Sequence, residues 1–158
     1  KAISSLEKFD LVILQGGSGE SQSEEERNAF SEKAKEHINK IQSIGSEAAL
    51  YMIHAYVKPH KNYDPNQIRV IEKMYVETGE RNNALVIPVG LAFEHAYKKR
   101  PDIKLHKMDG THPDLLGTYL AACVVYASIY KDNPIGVAYD YFGSINSEDK
   151  FFLQKERK

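Results

Sequence analysis

Phe9-Asp10-Leu11-Val12-Ile13-Leu14-Gln15 is a continuous apolar run rather than an alternating one, the pattern of a strand covered on both faces in a parallel sheet. The residues after it change period. Ser23-Glu24-Glu25-Glu26 is a capping-box sequence, in which the serine and the glutamate side chains each accept from the other's backbone N–H. Phe30, Ala34, Ile38, Ile41 and Ile44 then recur at helical spacing up to Gly45, a residue suited to the turn that ends a helix. The alternation repeats. Residues 48–53 predict a second buried strand. Asp64-Pro65-Asn66-Gln67 predicts the start of a second helix, with Ile68, Ile71, Met74 and Tyr75 on one face and an end at Gly79. Ala84-Leu85-Val86-Ile87-Pro88 predicts a third strand and residues 89–99 a short helix. A last helix is expected from Pro113 to about Tyr130, apolar nearly all round and therefore largely buried. Strands alternating with helices predict an α/β fold with a parallel sheet.

A chain of 158 residues is long enough for one domain with a real core. Its 21 basic and 22 acidic side chains leave a net charge of −1 and give no basic stripe, which disfavours nucleic acid or anionic membrane as the main partner. The longest apolar run, 115–129, is broken by Gly117, Thr118 and Ser128 and is too short to span a bilayer. Cys123 is the single cysteine, which rules out an intrachain disulfide and reads as a small core hydrophobe. The chain begins at Lys1 without an initiator Met or a signal-like apolar segment. Residues 1–9 read as a helix end running into a strand, in a chain that has been cut or processed. Residues 1–140 are expected to form the domain, and 141–158 a mixed-charge tail that packs loosely.

In parallel sheets ligands lie beyond the carboxyl ends of the strands. The segments there are Gln15-Gly16-Gly17-Ser18-Gly19-Glu20, His54-Ala55-Tyr56 and Pro88-Val89-Gly90. The glycine-rich turn can offer backbone N–H groups to an anion or a developing oxyanion, or it can be a tight turn and nothing more. It matches neither a Gly-Lys-Ser/Thr phosphate loop nor G-x-G-x-x-G. Gln15 is either an amide donor or the last polar residue before the loop.

Asp109-Gly110-Thr111-His112-Pro113 places a carboxylate and an imidazole three residues apart, ahead of the apolar helix. Pro113 suits the first helical position, and the residue before a proline is pushed out of the α region. His112 is therefore expected at the N-cap, with its ring free to face a cleft. The positive helix end disfavours imidazolium and Asp109 favours it, a pairing suited to a general base. The six histidines also raise a metal reading, in which His106, Asp109 and His112 recur at intervals of three and His54 and His60 come from another loop. No H-E-x-x-H or Cys/His pair supports it, and no metal or cofactor is expected. His37 and His95 read as helix-surface residues, and His54 as a core or supporting histidine.

Val86-Ile87-Pro88-Val89-Gly90, Met108-Asp109-Gly110-Thr111-His112-Pro113 and Leu116-Gly117-Thr118-Tyr119-Leu120-Ala121-Ala122-Cys123-Val124 resemble the C-terminal half of the SGNH (GDSL-type) hydrolase superfamily. The nearest likeness is to a bacterial branch with few characterised members. It continues into Asn133-Pro134-Ile135-Gly136, and residues 10–18 resemble that branch's strand-and-turn segment. Most of residues 9–137 is covered. Asp-x-x-His-Pro leading into an apolar helix is the most specific part.

The resemblance implies a three-layer α/β/α, flavodoxin-like fold with a parallel sheet of about five strands, the first in the middle. It also implies a serine-type hydrolase of carbohydrate or acyl esters. By position, His112 resembles the general base and Asp109 the carboxylate that orients it. The Gly17-Ser18 turn falls where the superfamily keeps an oxyanion-hole asparagine. Ser18 stands there instead, so a backbone N–H, the Ser18 hydroxyl and the Gln15 amide are the candidate donors. The family's Gly-Asp-Ser nucleophile segment does not occur in these 158 residues. The expectation is thus a C-terminal portion lacking the N-terminal strands, inactive alone, with an unpaired sheet edge open to self-association. Many members of the superfamily are exported, which implies a secreted or periplasmic location by resemblance only. A non-catalytic α/β module that binds a ligand or partner is the competing expectation, and metal-assisted hydrolysis through His106, Asp109 and His112 is the third.

Overall fold

The computed structural model describes residues 7–156. Most of the helix end expected at residues 1–9 lies outside them. Three strands, β1 (Leu11–Gln15), β2 (Glu47–Tyr51) and β3 (Leu85–Ile87), form a parallel sheet in the order β1-β2-β3. Leu11 stands opposite Glu47, and Ala49 opposite Leu85. Helix α1 (Glu24–Ser43) connects β1 to β2, and α2 (Gln67–Arg81) connects β2 to β3. α3 (Val89–Lys99), α4 (Leu115–Tyr130) and α5 (Ser147–Lys155) follow. The chain is an α/β protein with a parallel sheet, as the alternating periods predict. It divides into two units, Lys1–Ile53 with Arg69–Ile87, and His54–Ile68 with Pro88–Lys158.

In the first unit β2 is the central strand, with Ala48, Ala49 and Leu50 buried. β1 differs from its expected burial. Ile13 is 41% exposed and Phe9 50%, and among the described residues β1 pairs only with β2. A continuous apolar run does not distinguish an inner strand from an apolar edge. α1 starts as its sequence dictates. Glu26 N donates to Ser23 Oγ at 3.1 Å, and Ser23 N to Glu26 Oε2 at 3.1 Å. Glu24, Glu25 and Glu26 at its start and Lys40 at its end complement the helix dipole. Phe30, Ala34, Ile38 and Ile41 are buried, each larger side chain contributing about 1.5–3 kcal/mol of transfer free energy.

Gly79 does not end α2, which runs on to Arg81. A Cβ at Gly79 would overlap Val86 Cγ2 and lie 3.0 Å from the Ala84 carbonyl oxygen. The glycine is there for close approach of helix to strand, and Asn83 at φ +50° makes the turn instead. Ser31 Oγ meets Thr78 Oγ1 at 3.0 Å between α1 and α2.

In the second unit α4 packs against α3 on one side and α5 on another. Tyr119, Leu120, Ala121, Cys123 and Val124 are buried, with Cys123 a free, buried thiol. Burial is less complete than expected: Thr118 and Ala122 are exposed and Tyr130 is 71% exposed. No helix among the described residues is long and apolar enough to cross a membrane.

The stretch after Asp140 does not pack loosely. Asn146 caps α5 by accepting from Asp149 N at 2.9 Å, and Ile145, Leu153 and Gln154 are buried. The Gln154 amide donates to Val137 O and Tyr119 Oη and accepts from Gly136 N, at 2.9–3.0 Å. Buried Glu156 meets Lys99 Nζ at 3.0 Å and His95 Nδ1 at 2.7 Å. His95 is therefore not a bare surface residue, because the end of α5 delivers a carboxylate to it.

Candidate functional site

The approach to α4 differs from the expected one. Asp114, not His112, is the N-cap, with extended backbone and a carboxylate accepting from Leu115 N at 2.9 Å. Aspartate is among the best capping residues, and the two residues before it are occupied elsewhere. Lys107 N donates to His112 O at 2.8 Å, Asp114 N donates to Leu105 O at 2.8 Å, and Pro113 bridges antiparallel to His106. His112 thus sits in a bend two residues ahead of the cap, next to the Pro113 bridge. Gly117 lets this arrangement close, since a Cβ there would run into the Leu105 carbonyl oxygen.

Asp109 and His112 are brought together as their spacing predicts. Asp109 Oδ1 accepts from Thr111 N at 2.8 Å and from His112 N at 3.0 Å, while Oδ2 lies 2.7 Å from His112 Nδ1. The His112 ring and the two backbone N–H groups hold the Asp109 carboxyl well below the usual carboxylate range. An ionised carboxylate only accepts, so His112 Nδ1 carries a hydrogen, and in the neutral form of the ring the lone pair is at Nε2. With the His112 side chain 69% exposed, that nitrogen is accessible to a solute. The turn is held from below. Gly110 adopts φ +69°, Val57 N donates to its carbonyl at 2.9 Å, and a Cβ there would strike Val57 O.

His54, His106 and Tyr97 form a chain of side chains in the same unit. Tyr97 Oη lies 2.8 Å from His106 Nδ1, and His106 Nε2 lies 2.9 Å from His54 Nδ1. The His54 ring stacks on Phe93 at 4.6 Å. Burial first, then the nearby His112, pushes His54 down to about 4. Burial first, then His54, does the same for His106, also to about 4. Both rings are neutral at pH 7.

These bonds take up both ring nitrogens of His106. Among the described residues no three His, Cys, Asp or Glu side chains gather as metal ligands, so His106, Asp109 and His112 do not form the cluster that their spacing suggested. Phe93 and Tyr97 were missed in the sequence, although their separation of four places them on one face of α3. Beside the chain lies a cleft of about 590 Å³, whose lining includes Tyr56, Tyr63, Phe93, Tyr97, His106 and Lys107.

Gln15, Gly17 and Ser18 belong to the first unit. All three are exposed, at the end of β1 and in the turn beyond it. Gly16 N donates to Tyr75 Oη at 3.2 Å, which anchors the turn and occupies one of its N–H groups. Gln15 and Gly16 line a separate pocket of about 330 Å³ with Glu20, Phe30 and His37.

No protein-family model and no curated protein matches the sequence. Among solved structures, the chain is similar to a DUF4886 family protein from Bacteroides uniformis ATCC 8492. The match has a TM-score of 0.81 at 19% identity and covers 99% of this chain. The chain spans 63% of that protein's length. At this identity the likeness shows the fold.

Proposed function

We propose that this chain is the C-terminal portion of an SGNH-type serine hydrolase that cleaves a carbohydrate or acyl ester, with Asp109 and His112 as the base half of its triad. The observation that carries the reading is the 2.7 Å contact between Asp109 Oδ2 and His112 Nδ1, with Nε2 left exposed. That tautomer is the one a general base needs. His112 Nε2 takes the proton of a serine hydroxyl as the oxygen adds to the ester carbonyl. Asp109 stabilises the imidazolium, and His112 returns the proton to the departing alcohol. Water then attacks the acyl-enzyme with the same base. The serine comes from a segment outside the given sequence.

The finer architecture belongs to the same proposal. A sheet order β1-β2-β3 fits the third to fifth strands of a flavodoxin-like 2-1-3-4-5 sheet. Among the described residues β1 pairs on one side only, and in such a sheet its other side is where the first strand would pair.

In a full-length protein carrying Gly-Asp-Ser upstream, His112→Ala is expected to lower ester hydrolysis by about three to four orders of magnitude with unchanged circular dichroism. Retained activity would sink the triad assignment. The given chain alone is expected to turn over nitrophenyl esters at background, and turnover blocked by a serine-directed phosphonate would overturn that.

A second reading, a non-catalytic binding module, is favoured by the cleft, which is lined by aromatic and lysine side chains but not by Asp109 or His112. Absence of Gly-Asp-Ser from the upstream sequence would decide for it.

A further inference from the structure

The cleft of about 590 Å³ lies within the second unit, and its size is that of a small-molecule site. Segments that follow β2 and β3 in the chain supply its walls, with aromatic side chains at Tyr56, Tyr63, Phe93 and Tyr97. Tyr56 is stacked on His60 and Phe93 on His54, so each of those rings is covered on one face. Tyr63 is 40% exposed and Tyr97 half-buried, which leaves ring surface for a guest. Such walls favour a guest with a ring to lay against them.

Four lysines, Lys58, Lys98, Lys104 and Lys107, and two carboxylates, Asp64 and Glu94, make up the charged lining. Lys98 and Glu94 neutralise one another at 2.8 Å. Among the described residues Lys58, Lys104 and Lys107 enter no ion pair, and Lys58 is held over the Tyr63 ring, 5.5 Å from its centroid. With Asp64 set against one of these lysines, the cleft keeps two positive charges in a chain whose net charge is −1.

The kind of cation narrows the guest further. A planar carboxylate is met best by a guanidinium fork, and no arginine lines the cleft. Ammonium groups act as point charges that suit the several oxygens of a phosphate. A phosphate monoester carries about −1.5 to −2 at pH 7, which matches the charge left over. Asp64 and Glu94 interrupt the lysines, so a long polyanion would meet like charge. An alkyl chain would leave the lysines without a partner.

We propose that this cleft binds a small phosphorylated ring compound, its ring against Tyr63 and Tyr97 and its phosphate taken by Lys58, Lys104 and Lys107. Sugar phosphates and nucleoside monophosphates share that chemistry. Two lining residues tie the cleft to the Asp109–His112 turn: Lys107 N donates to His112 O at 2.8 Å, and His106 bridges to Pro113. The site requires no serine, and it stands whether or not the chain belongs to a hydrolase.

Calorimetry on the given chain at fixed ionic strength, with glucose monophosphate and adenosine monophosphate as probes, tests this. At least one probe is expected to bind about tenfold tighter than inorganic phosphate and than its own unphosphorylated ring; the tighter of the two identifies the source. Lys104→Gln/Lys107→Gln and, separately, Tyr63→Ala are each expected to weaken that binding about tenfold with unchanged circular dichroism. Lys33→Gln, in the first unit, should leave it as it is. Amide shifts on saturation are expected at Tyr63, Tyr97 and Lys107, and shifts confined to the first unit would overturn the assignment. Inorganic phosphate binding as tightly as the probes would reduce the cleft to unspecific ion attraction, and glucuronate binding as tightly would overturn the choice of phosphate. No binding of either probe, or a single-stranded oligonucleotide that outcompetes both, would overturn the proposal.

Discussion

Lowering the pH from 7 to 5 should cost this fold several kcal/mol through two side chains. His54 and His106 are each held at about 4 in the folded chain, against about 6.5 when unfolded. The groups facing them are His106 and His112 around His54, and His54, Tyr97 and Asp109 around His106. With the folded value below the unfolded one, the unfolded chain takes up more protons in this window. The stabilisation is therefore complete above about pH 6.5 and is lost as pH falls toward 4. Integrating between pH 7 and 5 gives about 2 kcal/mol per histidine, or about 4 for the pair, a large share of the 5–15 kcal/mol typical of a domain. Asp109 and Glu36 are depressed carboxylates, so what they contribute is lost in a lower window, below about 4.5.

Urea unfolding at fixed ionic strength, followed by circular dichroism since the chain has no tryptophan, reads this directly. The double variant His54→Gln/His106→Gln should flatten the profile between pH 7 and 5. A wild-type loss under about 1 kcal/mol, or the same loss in the double variant, would refute the reasoning.

Three further outcomes are expected. Gly110→Ala must place a Cβ against Val57 O at φ +69°, costing at least about 1–2 kcal/mol for the backbone alone; the low-field Nδ1 proton of His112 should vanish, and its persistence would show that the turn tolerates the side chain. Leu153→Ala, at a fully buried position of α5, should lower stability by about 2–5 kcal/mol; an unchanged urea midpoint would mean that α5 does not belong to the fold. Ser23→Ala removes the cap of α1 and should cost about 1 kcal/mol, and restoration by Asp at the same position would identify the cap as the cause.

What was legible in the sequence was local. The Ser23–Glu26 box, the Asp109–His112 pair and the three apolar runs each depend on residues within a few positions of one another, and the structure contains all of them. The errors came from partners distant in sequence. Gly79 reads as a helix stop until Val86 is seen against it. The mixed charge of the last residues hides Ile145 and Leu153, whose burial depends on α4 being there to receive α5. His54, Tyr97 and His106 lie on three different segments, and no spacing rule connects a histidine after β2 with one 52 residues later.

The displaced helix cap changes the chemistry more than the topology. At the N-cap, His112 would have faced the positive end of α4, which opposes a proton on its ring. With Asp114 in that position, a carboxylate meets the helix end, and Asp109 is the group bonded to the His112 ring. The three neighbouring histidines are then divided by environment. His106 is buried and His54 half-buried, and the two are bonded to each other and neutral. The third is exposed and bonded to an ionised carboxylate. Environments that separate titratable groups in this way assign their roles. Under the hydrolase reading, the proton taken from serine goes to His112 because it is the one ring with a carboxylate to balance the charge.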